Sequence, residues 1–523
     1  MKKMITMSLV AAATTFAFAS TADDIANLQK QIDQLKAKTG KINAQSANDN
    51  IKWSVDFRTA YDNINYDMAD GSSRSNDSLF SMRLWLNMAY NPDAHNIFMG
   101  QLSMNKAFGA DFGTSSGDFR AYSMGANFDW TSNEALSDNT LKVRQAFWLY
   151  LGDSAFGANI PWTFSIGRRP STNGFLANLR EDDAAQSPLA HVINVEFDGL
   201  SSKVDLSNVT GVPGMSFKIC LGYGSTNAEP MFSTPTSYAE DPNALDDITL
   251  GGFIFEPYND GQYIVKTTWY KAFDLPGMDT VPTLSGDPTN PTLSLSPSNF
   301  KQYGDMQGAA ISVLVDGLTE DGYFEDAKVF GSFAWSKSQP YSGESMLGST
   351  QDETGTSWWV GTQLPVLEGG VFGLEYNHGS QYWRPFTYAE DTMIGSKIAA
   401  RGDAWEAYFT YQINDALSLQ ARYTDISYDY TGSNGFFGNY SGSAMKIDDV
   451  KAGAAAFTAL GGTINPTTGA AENLGVVTGA LMAQGMDQAT AQKTAGEMAG
   501  AAIFAPSIVE AASDFRFYIR YRF

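Results

Sequence analysis

From Asp514 to Phe523 the chain reads DFRFYIRYRF. Phe515, Phe517, Ile519, Tyr521 and Phe523 alternate with Arg516, Tyr518, Arg520 and Arg522. A period of two puts the apolar set on one face of a β-strand and the arginines on the other. The competing reading is an edge strand of a secreted β-sandwich. It gives no reason for five apolar side chains to share one exposed face.

The amino terminus points to export. Lys2 and Lys3 precede an apolar run from Met4 to Ala19, and small residues offer cleavage after Ala19 or Ala22. This is the pattern of a secretory signal peptide over residues 1–22. The run is shorter than the roughly 20 residues of a spanning helix. No later segment offers a continuous apolar helix, so a mature chain that crosses a membrane must do so as a closed barrel.

Composition narrows the class. Over 523 residues the net charge is −23, which argues against a nucleic-acid partner. Aromatics make up 13% and glycines number 49, a mixture that suits many alternating strands joined by acidic loops. The single cysteine, Cys220, allows no internal disulfide, and no haem or zinc spacing is present, so no cofactor and no metal site is expected. The only histidines, His95, His191 and His378, lie far apart in sequence, and no catalytic residue is assigned.

Residues 23–46 carry Ile25, Leu28, Ile32 and Leu35 at heptad a/d spacing, with Ile42 beyond. Asp23 and Asp24 suit a helix start, and Lys36 and Lys38 suit its end before Gly40. The seam predicts a coiled-coil-like periplasmic helix that promotes self-association; the bland alternative is a single helix lying against the barrel mouth. The residue types lean towards two strands, while barrel contacts would favour a trimer.

From Ile51 onward, candidate strands recur with regular punctuation. After the strands at Ile51 and Phe80–Tyr90 come Ile97–Lys106, Leu141–Leu151, Pro161–Arg169, His191–Leu206, Met215–Gly224, Ile248–Tyr258 and Gln262–Phe273. Then follow Gln307–Val315, Ala327–Ser336, Ser357–Val366, Val371–His378, Ala404–Ile413, Leu417–Tyr430 and Asp514–Phe523. This gives about 16 strands of the length a tilted membrane strand requires. Turns such as Asn91-Pro92-Asp93 and Asn259-Asp260-Gly261 alternate with long connections. The predicted fold is an all-β, antiparallel transmembrane barrel over 51–523, with an Ala/Gly-rich, partly helical insertion at 439–513. Helices are expected there at Glu472–Met482 and Met486–Ala501.

The terminal strand, with Tyr521 and the final Phe523, resembles the C-terminal assembly signal of bacterial outer-membrane β-barrels. The resemblance implies a Gram-negative outer-membrane location, with lipid and the barrel-assembly machinery as partners. On the faces opposite the apolar positions lie Arg58, Arg83, Arg144, Arg422, Arg516, Arg520 and Arg522. Since first and last strands pair on closure, these predict a basic patch on the lumen wall. The connection after Arg169 carries Glu181, Asp182 and Asp183. In sixteen-stranded general porins, which this pattern resembles, the third external loop folds inward. That implies an acidic constriction facing the arginines across an aqueous gap, with a transverse field. The bland alternative is a solvated acidic loop. The aromatic run Tyr382–Tyr388 reads first as loop packing.

The stretches Gly167–Pro170, Arg384–Thr392, Ile394–Lys397 and Tyr428–Gly438 resemble an uncharacterised, porin-like family of bacterial outer-membrane barrels, catalogued as a domain of unknown function. The expected function is passive diffusion of small hydrophilic solutes or ions through a homo-oligomeric porin. Selectivity would follow from the lumenal arginines and the acidic loop. The alternative is a structural barrel acting as a sheath or anchor for a periplasmic or redox partner. An enzyme is not expected.

Overall fold

A computed structural model describes residues 51–523 apart from 111–135, 137–138, 170–171, 195, 233–234, 242–244, 320, 323 and 388–391. The signal peptide expected at 1–22 and the helix with its Ile25, Leu28, Ile32 and Leu35 seam lie outside the described residues.

Sixteen antiparallel strands close into one barrel. In chain order they are β1 (Lys52–Met68), β2 (Ser73–Tyr90), β3 (Asn96–Ala107), β4 (Lys142–Gly152), β5 (Trp162–Arg169) and β6 (Phe197–Asp205). Next come β7 (Ser216–Ser225), β8 (Ile248–Asn259), β9 (Tyr263–Gly277), β10 (Lys301–Asp316) and β11 (Lys328–Pro340). The last five are β12 (Glu353–Leu367), β13 (Gly370–Gly379), β14 (Gly402–Asn414), β15 (Leu417–Tyr428) and β16 (Val509–Arg522).

Closure is made by β16, which pairs with β15 on one side and β1 on the other. The register sets Arg58 opposite Arg520 and Phe57 opposite Tyr521. Backbone bonds of 2.9 and 3.0 Å between Val55 and Phe523 pin the rim where the strand run begins and ends.

Alternation along β16 is complete. Phe515, Phe517, Ile519 and Tyr521 are exposed on the outside, whereas Asp514, Arg516, Tyr518 and Arg520 are buried inside. Aromatic groups gather at both rims. Trp148, Tyr150 and Trp162 cluster at the short-turn end, and Trp358, Tyr376 and Trp405 at the long-loop end. An apolar outer band between aromatic girdles is the arrangement a bilayer-spanning barrel needs.

Connections alternate short and long with one departure. Long β1 and β2 meet at the long-loop end in a tight turn around Gly71, whose φ of 82° suits glycine. The sixth strand begins at Phe197, six residues later than its apolar pattern suggests, because His191–Asn194 belong to a loop folded into the barrel. That loop carries helix α1 (Ala177–Glu181). The connection between β9 and β10 holds a β-hairpin, Thr280–Asp287 with Asn290–Pro297.

Before β16 come three helices: α2 (Ile447–Ala459), α3 (Leu474–Ala483) and α4 (Gln488–Phe504). The last two lie within a few residues of the helices read from sequence. α2 is additional, since its Ala- and Gly-rich run gives little apolar periodicity. Ala491, Ala495, Ala499 and Ala502 form the buried stripe of α4. Their small size lets the helices pack closely with the β-hairpin, through Leu293 and Phe457.

Inside the barrel, Leu189, Val192, Trp383, Phe386 and Phe437 come from loops. They pack on Tyr270, Met306 and Ala334 of the wall. Each such buried side chain stabilises by about 1.5–3 kcal/mol. This apolar filling occupies the β6–β11 side of the lumen. Charge dominates the opposite side.

Candidate functional site: the loop-bound lumen wall

The loop between β5 and β6 is shaped locally before it meets the wall. Gly174–Phe175 pairs in parallel with Gln186–Leu189. Asn178 braces α1 at both ends: its side chain accepts from the Leu176 amide at 3.0 Å and donates to the Asp183 carbonyl at 2.9 Å. Asp182 caps the helix in the left-handed region at φ 51°, a conformation Asp tolerates better than most residues. This compact loop carries Arg180, Glu181, Asp182 and Asp183 to the barrel wall.

There the acids meet the arginines directly. Glu181, 1% exposed, takes Arg422 at 2.9 Å, Arg180 at 2.8 Å and Arg58 at 3.5 Å. Asp183 binds Arg520 at 2.7 Å and Arg522 at 3.4 Å, and Asp182 binds Arg522 at 2.6 Å. Arg520 also donates to the Glu181 carbonyl at 2.5 Å and holds Asp56 at 2.9 Å. The opposed charges expected across an aqueous gap are therefore in contact, because the loop reaches the wall. Burial raises the Asp183 carboxyl above its ordinary value, while Arg520 pulls it back. Removing one partner from such a buried network costs about 3–5 kcal/mol, since the remaining charge is left uncompensated.

The remaining expected arginines divide among neighbouring acids. Arg83 lies 3.5 Å from Asp56 and 3.5 Å above the Trp85 ring. Arg516 pairs with Asp62 at 2.5 Å. Arg144 stands apart from the acidic triplet. It binds Glu196 at 3.2 Å, Gln101 at 2.6 Å and Thr172. Arg180 continues the network to Glu406 at 3.2 Å, which Lys397 also contacts. Lys397 reaches Glu375 at 2.6 Å.

Two cavities flank α1 at the short-turn end. One of about 1110 Å³ is lined by Asp182, Asp183, Asp316, Asp326, Gln363 and Glu368, among others. The other, about 620 Å³, is lined by Asp56, Trp85, Gln101, Arg144, Asp183 and Arg522 among others. Asp183 borders both, so the loop tip divides the vestibule at that end.

A family model described as "Protein of unknown function (DUF3373)" matches residues 73–464. The chain belongs to that family. None of the curated proteins compared with it matches. Among solved structures, this member of the family is similar to an anion-selective porin from Comamonas acidovorans, at 10% identity and a TM-score of 0.42 over 91% of this chain and 99% of that one. OprB of Pseudomonas putida gives 9% identity and a TM-score of 0.44 over 93% and 97%. OmpF of Salmonella typhi, in complex with daunomycin, gives 10% and 0.40 over 91% and 99%.

Several network residues were missing from the sequence reading. Asp56, Asp62, Glu375 and Glu406 occupy inward positions on β1, β13 and β14, and the same period-two rule finds them once acids are sought alongside arginines. Lys397 and Glu196 sit in loops and carry no such signal. The aromatic segment beginning at Tyr382 is packing: Trp383 and Phe386 are buried, and Arg384 donates to the carbonyls of Ser433 and Gly435. Its end, 388–391, lies outside the described residues.

The histidines serve structure in three separate places. His95 contacts the Leu151 carbonyl at 2.8 Å, and His378 contacts Asp403 at 2.9 Å. His191 is wholly buried on the inward loop. Its ring nitrogens meet Ser332 at 2.8 Å and Ser357 at 2.9 Å, and burial pushes its pKa down to about 3.

Proposed function

We propose that this protein is an outer-membrane channel of the porin type, passing small hydrophilic solutes or ions by passive diffusion through the water beside its inward loop. One observation carries the reading: Glu181 is bound by Arg58, Arg180 and Arg422, so charge fixes a loop inside a closed barrel. A buried ion network stabilises no better than well-packed apolar side chains of the same volume. A barrel that served only as a solid sheath would gain more from apolar filling throughout. The arginines and the acidic tip act together, the arginines setting where the loop stops and the acids setting the charge it shows to the vestibule.

In this reading the short turns and the start of β1 face the periplasm, and the long loops face outward. Tyr521 and Phe523 guide assembly, residues 1–22 direct export, and residues 23–46 support a homo-oligomer such as a trimer. Planar-bilayer recording and liposome swelling with the folded protein test it. Discrete conductance is expected. Its absence from correctly folded protein overturns the reading.

A specific feature favours the sheath or anchor as the second reading: the apolar filling around Leu189, Trp383 and Phe386. A silent bilayer together with a stoichiometric co-purifying periplasmic protein would decide for it.

A further inference from the structure

The arginine wall is matched by acids, but a second set of four lumenal cations has a carboxylate within ion-pair distance only at Lys266 among the described residues. Arg169 on β5, Lys203 on β6, Lys218 on β7 and Lys266 on β9 all occupy inward positions, while Ile219 and Leu221 of β7 face out. The register places Lys203 directly opposite Lys218. Like charges so placed destabilise a sheet unless something sits between them. Lys218 also feels Arg169 and Lys266 electrostatically.

Two carboxylates belong to this strip. Glu256 lies 3.7 Å from Lys266, and Asp205 accepts bonds from the amide and hydroxyl of Ser207. Among the described residues, no carboxylate comes within ion-pair distance of Arg169, Lys203 or Lys218. Lys218 is 9% exposed and donates to Ser187 of the inward loop at 2.6 Å. A desolvated ammonium with a hydroxyl as its partner carries a cost that an anion beside it would offset. A cavity of about 70 Å³ lies here; Arg169, Ser187 and Lys218 give it a polar side, and Phe197, Leu250 and Ile254 are among its apolar lining. One water needs about 10–15 Å³ of such space, so the cavity takes a small inorganic anion together with a few waters.

We propose that the lumen holds a site for a small inorganic anion, with Arg169 and Lys218 as direct ligands and Lys203 and Lys266 raising the surrounding potential. Its consequence for transport rests on the channel reading; the site itself does not. If the barrel conducts, these lysines, and not the self-neutralised arginine wall, give it anion preference.

The test uses folded, detergent-solubilised protein in chloride-free buffer, with phosphate as the probe. Calorimetric titration of the unaltered protein is expected to give saturable binding. K218M is expected to weaken it at least about tenfold, given how strongly clustered charge concentrates counter-ions. K218R restores most of the affinity, and K337M, at an outlying ion pair with Asp352, changes nothing. Reversal potentials in a salt gradient are expected on the anion side for the unaltered protein and nearer the cation side for K218M and K203M. Lack of phosphate binding by folded protein overturns the site. Reversal potentials that neither substitution moves overturn its role in selectivity. Phosphate binding without conductance supports the site and overturns the channel reading alone.

Discussion

The inward loop is held at its two ends by different physics. At residues 180–183 it is tied by charge to Arg58, Arg422, Arg520 and Arg522. At residues 189–193 it is tied by burial, with Leu189, Val192 and Ile193 packed among Tyr270, Trp383 and Phe386. The ionic end borders the open vestibule and depends on every partner being present. The apolar end is closed to water and depends on volume. The charged end therefore offers the protein a point of adjustment, and the apolar end an anchor.

The sharpest way to break this contrast is at Glu181. E181Q leaves Arg58, Arg180 and Arg422 short of charge, at a cost of about 3–5 kcal/mol to loop docking. The expected outcome is larger conductance and new trypsin cleavage after Arg180, which is 2% exposed in the docked loop. The double variant E181Q/R422Q should recover part of the protection, since it removes a cation along with the acid. Trypsin resistance equal to that of the unaltered protein would show that the charge network does not hold the loop.

At the other end, L189A opens a cavity where Leu189 is completely buried. A loss of about 2–5 kcal/mol is expected. The signature separating the two ends is salt. Conductance of L189A should exceed that of the parent by the same factor at low and high ionic strength, because no charge is involved. A salt-dependent factor would place the apolar segment under electrostatic control and erase the distinction.

How far this arrangement could be read from the chain differs between its parts. Barrel and strand order were legible because side-chain alternation is a local property, as in Phe515–Phe523, repeated along sixteen strands. The arginine positions followed from the same rule. What the rule could not give was the distance between loop and wall. That depends on the αL turn at Asp182 and on the bracing by Asn178, both of which are tertiary outcomes. The sixth strand was read as starting at His191 because Val192, Ile193 and Phe197 are apolar at buried positions whether they belong to a strand or to a plug. The β9–β10 hairpin was missed because Pro282, Pro291 and Pro297 argue against strand pairing.

A smaller effect separates the two ends by pH. His191 is buried neutral between Ser332 and Ser357, with the rings of Trp359 and Trp383 against it. Its pKa falls from 6.5 to about 3 on docking. Docking is therefore fully stabilised above pH 6.5 and loses stability as pH falls towards 3, by about 1.4 kcal/mol per unit. Asp183 shifts the opposite way, so protonation favours docking at the ionic end. Between pH 6.5 and 5 the histidine should dominate, and trypsin cleavage after Arg180 should rise as the buffer is acidified. H191Q, which keeps the hydroxyl contacts without a titrating ring, should flatten that rise. If H191Q shows the same pH profile, the apolar end does not sense protons.

The smallest effect is expected at Arg522, whose side chain is 31% exposed where it pairs with Asp182. A partly solvated pair of this kind is worth about 0–1 kcal/mol and is screened as the Debye length falls to about 3 Å in 1 M salt. R522Q should raise trypsin cleavage slightly at low salt and not at all in 1 M salt, whereas the E181Q effect should survive there. The two substitutions together measure how the ionic end is graded, from a buried anchor at Glu181 to a solvated edge at Asp182. A salt response for E181Q as steep as that for R522Q would mean that water reaches Glu181, and that the ionic end opens as one unit.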